Sequence, residues 1–282
     1  MKKTNQEVDK KQYKSFEREA KVLMLDIESA PTLGYTYGQW QTNVIKVERP
    51  PVLLSFAWKW LGEKETHCLT LHDRATVQQG DDSLLVKELW NLIDECEVFV
   101  AHNVKFDQKM ANAFFLRHGL TPASWYKTFC TLQTARRYFK LDNNKLDYLG
   151  QLLGVGQKTA ITNHDVWYDC LIHNDEKAWK KLATYNIQDV VLLEKIYKKL
   201  LPFATNHPNG ALSAGREDIC PRCMHQSEFS IKAYRKTGTQ INAIQVQCRN
   251  CHGYVTRPLT KEEREELDYH GRLKSFYRNI AN

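Results

Sequence analysis

Two sets of side chains in this chain have types and spacings that could do chemistry: scattered acids and paired cysteines. Asp26 and Glu28 close the apolar run Lys21-Val22-Leu23-Met24-Leu25-Asp26 as D-I-E. Side chains two apart on a strand share a face, so both carboxylates would point one way and Ile27 into the core. Two acids on one face repel unless something positive lies between them, and Mg²⁺ prefers carboxylate oxygens. A third acid ends Ala101-His102-Asn103-Val104-Lys105-Phe106-Asp107. Taken alone, helix capping accounts for it, with Asn103 as N-cap and Asp107 in the first turn, facing the helix dipole. A fourth acid ends Tyr185-Asn186-Ile187-Gln188-Asp189, where Tyr185 and Asp189 share a helix face. The apolar residues Val190 to Leu193 follow, so Asp189 either borders a buried face and needs a partner or is simply exposed.

The cysteines divide into two groups. Cys68, Cys96, Cys130 and Cys170 stand singly among apolar or aromatic neighbours, as small buried hydrophobes do. Cys220-Pro221-Arg222-Cys223 and Cys248-Arg249-Asn250-Cys251 are both C-x-x-C, 24 residues apart. Four thiolates in two such turns make a tetrahedral site for one structural Zn²⁺. His225 and His252 adjoin the knuckles as second-sphere or surface groups, because four thiolates already close the site.

Elements must position these groups. The first strand carries D-I-E; Val52–Trp60 and Glu65–Leu71 read as further strands. Apolar positions Leu84, Leu85, Leu89, Leu92 and Ile93 mark a helix over Asp82–Ile93. Glu97–Ala101 is a short buried-type strand, then Phe106–His118 a helix closed by Gly119. Helices follow at Leu132–Phe139, Lys145–Leu153 and about Asp175 to Leu201, the last stopped by Pro202. The expected fold is α/β, a mixed sheet flanked by helices, with a small zinc ribbon behind it. The expected segments are a polar arm (1–20), the main domain (21–203), a linker rich in turn formers (204–218), the ribbon (219–258) and a terminal helix (259–282). In the ribbon, Glu228–Tyr234 and Ile241–Gln247 form a hairpin around residues 236–239. Thr260 and Glu263 form a capping box for the terminal helix.

The chain has 282 residues and a formal charge of +7. Residues 219–258 hold six Lys/Arg against one acid, which fits a phosphate-contacting patch or a merely solvated surface. No run approaches the apolar length of a membrane span, and the N-terminus lacks an apolar segment of the signal-peptide type. A cytoplasmic protein without membrane contact is expected.

In their order, D-I-E on the first strand, N-x-x-F-D after a later strand and Y-x-x-x-D on a late helix resemble the exonuclease motifs of the DEDD superfamily. That superfamily has an RNase H-like fold. The Tyr variant resembles the branch in family B polymerase proofreading domains and free-standing exonucleases, phage-type ones included. The resemblance runs from about Lys21 to Phe203. It includes Cys130-Thr131-Leu132-Gln133-Thr134-Ala135-Arg136, where many relatives carry an Asp in place of this Cys. Residue 184 is Thr, which disfavours the His branch. The resemblance implies that Asp26, Glu28, Asp107 and Asp189 hold two Mg²⁺ or Mn²⁺ and that Tyr185 orients the attacking water. Asn103 and Phe106 would sit near a terminal nucleotide, and cleavage would start from the 3′ end. Two cations about 3.5–4 Å apart can acidify a water and neutralise a leaving oxygen.

DNA is preferred to RNA only because nothing in the sequence reads a 2′-hydroxyl. An RNA exonuclease or a structure-specific nuclease of the same fold is the alternative, and a catalytically idle binding or assembly protein is another. In the ribbon, Lys232, Arg235 and Lys236 could grip a nucleic-acid backbone, or the ribbon could bind a replication or repair protein.

Overall fold

The computed structural model describes residues 20–74, 80–158, 166–213, 219–226, 228–237 and 240–269. These fall into two units, one of residues 20–200 with 206–208, the other of 201–205 and 209–269. Nearly all of the expected arm, the tip of the ribbon hairpin at 238–239 and the chain after 269 lie outside the described residues. Among the described residues no helix is long and apolar enough to cross a membrane.

In the larger unit the chain runs β1 (Val22–Ala30), β2 (Leu33–Tyr35), β3 (Lys46–Arg49), β4 (Val52–Trp60), β5 (His67–Thr70) and α1 (Leu71–Arg74). It continues through α2 (Ser83–Glu95), β6 (Val98–Ala101), α3 (Val104–Arg117), β7 (Lys127–Cys130), α4 (Thr131–Tyr138) and α5 (Leu146–Leu152). The short α6 (Val166–Tyr168) runs into a π-helical turn, Asp169–His173, before α7 (Glu176–Leu200). The sheet is mixed, in the order β5-β4-β1-β6-β7. β4 lies antiparallel to β1 and β5, while β6 is parallel to β1 and β7. The chain is therefore α/β, with helices around a five-stranded sheet.

Two local features mark β1 where the first acids sit. Its pairing with β6 stops at Met24–Val100, although β1 continues to Ala30. Its register with β4 shifts between Glu28 and Ser29, a bulge of the kind that re-aims side chains. The core under this region joins Leu23, Leu25 and Ile27 to Leu85, Leu89 and Ile93 of α2 and Phe114 of α3. Ile27 faces the core, as its alternation with Asp26 and Glu28 requires.

Most expected elements are present with shifted ends. The strand expected over 65–71 shortens to His67–Thr70, and Leu71 starts a helix. The helix expected from Phe106 begins at Val104. Asn103 precedes it but makes no side-chain capping bond; its backbone is left-handed at φ 76°, which Asn tolerates better than most residues. Cys96, Cys130 and Cys170 are buried and Cys68 half-buried. Cys130 also caps α4, its sulfur accepting from the Gln133 N–H at 3.4 Å.

In the smaller unit a turn of 3-10 helix, Leu201–Phe203, and α8 (Gly210–Ser213) precede the ribbon. Part of the expected linker is thus helical. The strands β8 (Phe229–Thr237), β9 (Gln240–Cys248) and β10 (Tyr254–Pro258) form an antiparallel sheet around Ile244, Val246 and Leu259. α9 (Lys261–Tyr269) starts with the expected capping box: Glu263 N–H donates to Thr260 Oγ1 at 3.2 Å and Thr260 N–H to Glu263 Oε2 at 3.0 Å.

One buried acid ties three elements of the larger unit together. Asp82, before α2, accepts from the Leu53 N–H of β4 at 2.8 Å and is bonded by Arg117 and His118 at the end of α3. We expect Asp82→Ala to cost about 2–3 kcal/mol in urea unfolding, because it strands a buried N–H and an Arg charge. A loss below about 0.5 kcal/mol would contradict that role.

Candidate functional site

Three elements deliver the four acids. Asp26 and Glu28 lie at the open end of β1, Asp107 in the first turn of α3, and Asp189 in the middle of α7. Oxygens of Asp26, Glu28 and Asp189 lie within 4.8 Å of one another. Asp107 stands outside that tightest group but is buried, and its charge acts on Asp26. The Ile27 N–H, between the two β1 acids, hydrogen-bonds its carboxyl. Segments far apart in sequence thus bring three acids together, with the fourth, Asp107, close enough for its charge to act on Asp26.

Neighbouring side chains fix the acids in place. Asn186, buried on α7, donates from Nδ2 to Asp26 Oδ2 at 2.7 Å and to the Asp26 carbonyl at 3.2 Å. Its Oδ1 accepts from Ser55 Oγ of β4 at 3.1 Å. Trp167 Nε1 donates to Glu28 Oε2 at 3.3 Å. Lys158 Nζ donates to Tyr185 Oη at 3.1 Å and pairs with Asp189 Oδ2. The Lys158 backbone N–H is held in turn by Asp147 Oδ1 at 2.7 Å. Close packing sets that loop: a Cβ on Gly150 would fall 2.6 Å from the Gly156 carbonyl and 2.8 Å from Leu192 of α7.

Water exclusion and mutual repulsion show in the ionisation of the cluster. Burial, then the charges of Asp107, Asp189 and Glu28, raise Asp26 well above the usual carboxyl range. Burial lifts Glu28 to about 7 against the Trp167 hydrogen bond. It lifts Asp107 to about 7 against the backbone N–H groups of Asp107 and Ile27. Asp189 is raised by burial despite Lys158 and Tyr185. Burial lowers the Lys158 ammonium, but its bonds to Asp189 and Tyr185 outweigh that and leave it more basic than usual. Burial and the Asp189 charge raise the Tyr185 phenol, which stays a proton donor at neutral pH.

The site fits hard cations. Its donors are carboxylate oxygens, the set that suits Mg²⁺ or Mn²⁺. Asp189 Oδ1 is buried with no hydrogen-bond partner among the described residues, so one oxygen of the cluster is still unsatisfied. A buried acidic group of this kind could bind a divalent metal.

The cysteines form a second site in the smaller unit. All four Sγ atoms lie within 4.8 Å of one another, and the Cys220–Cys251 and Cys223–Cys248 pairs stand 3.8 and 3.9 Å apart. That is far beyond disulfide length and suits four ligands around a zinc ion. The two knuckles share one backbone pattern. Met224 and His252, each just after its second cysteine, are left-handed at φ 55° and 60°. Cys220 N–H bonds the His225 carbonyl and Cys248 N–H that of Gly253, at 3.0 and 3.1 Å. Hydrogen bonds from Cys220 and Cys251 pull the Cys223 thiol down, which favours a thiolate in the cluster. His225 and His252 are exposed.

The other expected contacts are placed as follows. Asn103 and Phe106 are exposed at the start of α3, on the chain segment that delivers Asp107. Lys232 and Arg235 are exposed on β8, where Arg235 donates to Gln245 Oε1. Lys236 lies in β8, its side chain outside the described residues. Sequence reasoning missed Asn186, Lys158 and Trp167. Only Asn186 carried a signal, as a polar residue next to Tyr185 on a helix face that packs against the sheet. A scan against protein-family models finds no match for this chain, and neither does a search of curated proteins.

A pH dependence follows from the raised carboxyls. Their folded pKa lies above the unfolded value near 4, so the protonated form is favoured in the fold. The metal-free protein should therefore lose stability as pH rises from near 4 to about 7, where Glu28 and Asp107 ionise in the fold. In chelator we expect Tm to fall between pH 5 and pH 8, and Mg²⁺ to restore it most at pH 8. The combined Asp26→Asn and Glu28→Gln variant should flatten the profile. A wild-type Tm that is insensitive to both pH and Mg²⁺ would contradict this.

Proposed function

We propose that the chain is a two-metal-ion 3′–5′ exonuclease hydrolysing phosphodiester bonds of DNA, on an RNase H-like fold of the Tyr branch of the DEDD superfamily. The observation that carries it is the convergence of Asp26, Glu28, Asp107 and Asp189, with Tyr185 one helical turn from Asp189. An enzyme that cleaves an anionic ester needs such a concentration of acids only if cations join them. The buried, unsatisfied Asp189 Oδ1 supports that requirement.

The four acids would hold two Mg²⁺ or Mn²⁺, which when bound acidify water and neutralise charge on a phosphodiester. The chain's own groups do the positioning. Asn186 fixes the carboxylate plane of Asp26, and Trp167 does so for Glu28. The Tyr185 phenol keeps its proton near neutral pH, so it orients the attacking water by hydrogen bonding rather than by taking a proton. Lys158 steadies the Tyr185 oxygen from the other side. The 3′ polarity follows from the family resemblance, and single-stranded DNA ends are the expected substrate. The cysteine cluster would hold one structural Zn²⁺, with Lys232 and Arg235 offering phosphate contacts on the ribbon.

End-labelled single-stranded DNA, duplex DNA and RNA, each with Mg²⁺, Mn²⁺ or EDTA, test this directly. We expect stepwise shortening of DNA from the 3′ end, abolished by EDTA. Asp26→Ala and Asp189→Ala should lower the rate by on the order of a thousandfold or more. Unchanged rates in those variants would remove the four-carboxylate assignment.

Metal analysis tests the ribbon separately. We expect about one zinc per chain, lost in the Cys220→Ser/Cys223→Ser double variant. A folded, zinc-free wild type would refute the site.

A further inference from the structure

Beyond the acid cluster, the β2–β3 hairpin is the feature that the fold explains least. It lies outside the five-stranded sheet as a separate pair of strands, and two strands alone are marginal in water. Its backbone is nonetheless built. The Ile45 N–H donates to the Tyr35 carbonyl at 2.9 Å, and Gln41 N–H to the Gly38 carbonyl at 3.2 Å. A Cβ on Gly34 would meet Val44 Cγ1 at 2.6 Å and the Lys46 carbonyl at 2.7 Å, so only glycine lets the two sides close.

The side chains on this frame are of the wrong kind for a solvated turn. Trp40 sits at the tip, between Gly38 and Gln41, and is 91% exposed; Tyr37 is 82% exposed. Tyr35, Val44, Ile45 and Val47 are exposed as well. Tight turns favour Gly, Asn, Asp or Ser, and nothing in the folding of this hairpin asks for an indole at its tip. Clustered exposed apolar groups mark interaction surfaces.

Position and charge indicate the occupant. The hairpin starts a few residues after Glu28, on the chain that leaves β1. Its base, at Leu33 and Arg49, lines a cavity of about 470 Å³ together with Met110, Trp167 and Tyr168. Trp167 in turn donates to Glu28, so the cavity borders the acid cluster. From Ser29 to Val47 the chain carries no acid; Glu48 at the base stands 3.6 Å from the Lys46 ammonium, which also lies over the Tyr35 ring. Arg49 Nε is buried without a partner among the described residues, a donor suited to an anion. Ring faces, cations and an acid-free stretch leading to a phosphodiester site match an unpaired nucleic-acid strand.

We propose that the Leu33–Arg49 hairpin is a stacking arm for the single strand whose end enters the acid cluster, with Trp40 and Tyr37 supplying the ring faces. The inference rests on the nuclease function proposed above. It makes the hairpin a determinant of how tightly a long strand is held, and leaves bond cleavage to the acids.

Fluorescence anisotropy with a labelled 20-nucleotide oligothymidylate tests it, in an Asp26→Asn background that holds turnover. Tyr37→Ala/Trp40→Ala should weaken binding by about tenfold or more per ring removed, and Trp40→Phe should recover most of the loss. On an otherwise wild-type chain, the double variant should hydrolyse the p-nitrophenyl ester of thymidine 5′-monophosphate, too short to reach the hairpin, at the wild-type rate. Unchanged oligonucleotide affinity would overturn the proposal. So would a wild-type dimer in light scattering that the double variant dissolves with no change in affinity, since the hairpin would then belong to a contact between copies. If the wild type does not turn over the ester with Mn²⁺, the nuclease assignment fails, while the anisotropy still decides the hairpin.

Discussion

Carboxylates removed from water repel one another strongly, because the low-dielectric surroundings that bury them also strengthen their mutual repulsion. Asp26, Glu28, Asp107 and Asp189 are in that position, and all four respond by resisting ionisation. Lys158 is the single cation pairing directly with one of them among the described residues, and one ammonium cannot balance four negative charges. Such a cluster is at odds with neutral pH unless further positive charge enters it. A buried acidic group of this kind could bind a divalent cation, which would supply that charge.

The surrounding structure serves that constraint. β1 outruns its parallel neighbour, which gives the first turn of α3 room to bring Asp107 to the Ile27 N–H. The bulge after Glu28 shifts the register by one residue, and Ser29 and Ala30 then pair with Leu53 and Val52 of β4. α7 then crosses the sheet with Asn186 and Asp189 on its buried side, so one helix supplies both an acid and the amide that orients another. The ribbon solves a different problem in a different currency of interaction. Four thiols and two left-handed knuckle residues preform a closed site, where the acid cluster is open and unsatisfied.

Short periodic patterns made much of this legible beforehand. D-I-E could be assigned to one strand face, and Y-x-x-x-D to one helix face, because those spacings are local. β4, α2 and α7 were visible for the same reason, as long apolar or amphipathic runs. β7 was not, since four residues beginning Lys127-Thr128 become a strand only by pairing with β6. The hairpin strands β2 and β3 escaped because their apolar residues face outward. The groups that hold the acids were out of reach too. Asn186 meets Asp26 across 160 positions and Trp167 meets Glu28 across 139, and no spacing rule spans such separations.

Electron paramagnetic resonance titration of the zinc-replete protein with Mn²⁺ tests the central claim most directly, because it reads cation binding at the acids without requiring any substrate. The account predicts close to two bound Mn²⁺ per chain in the wild type, and their loss in Asp26→Asn and Asp189→Asn. Free Mn²⁺ throughout the titration, or equal binding in those variants, would contradict it.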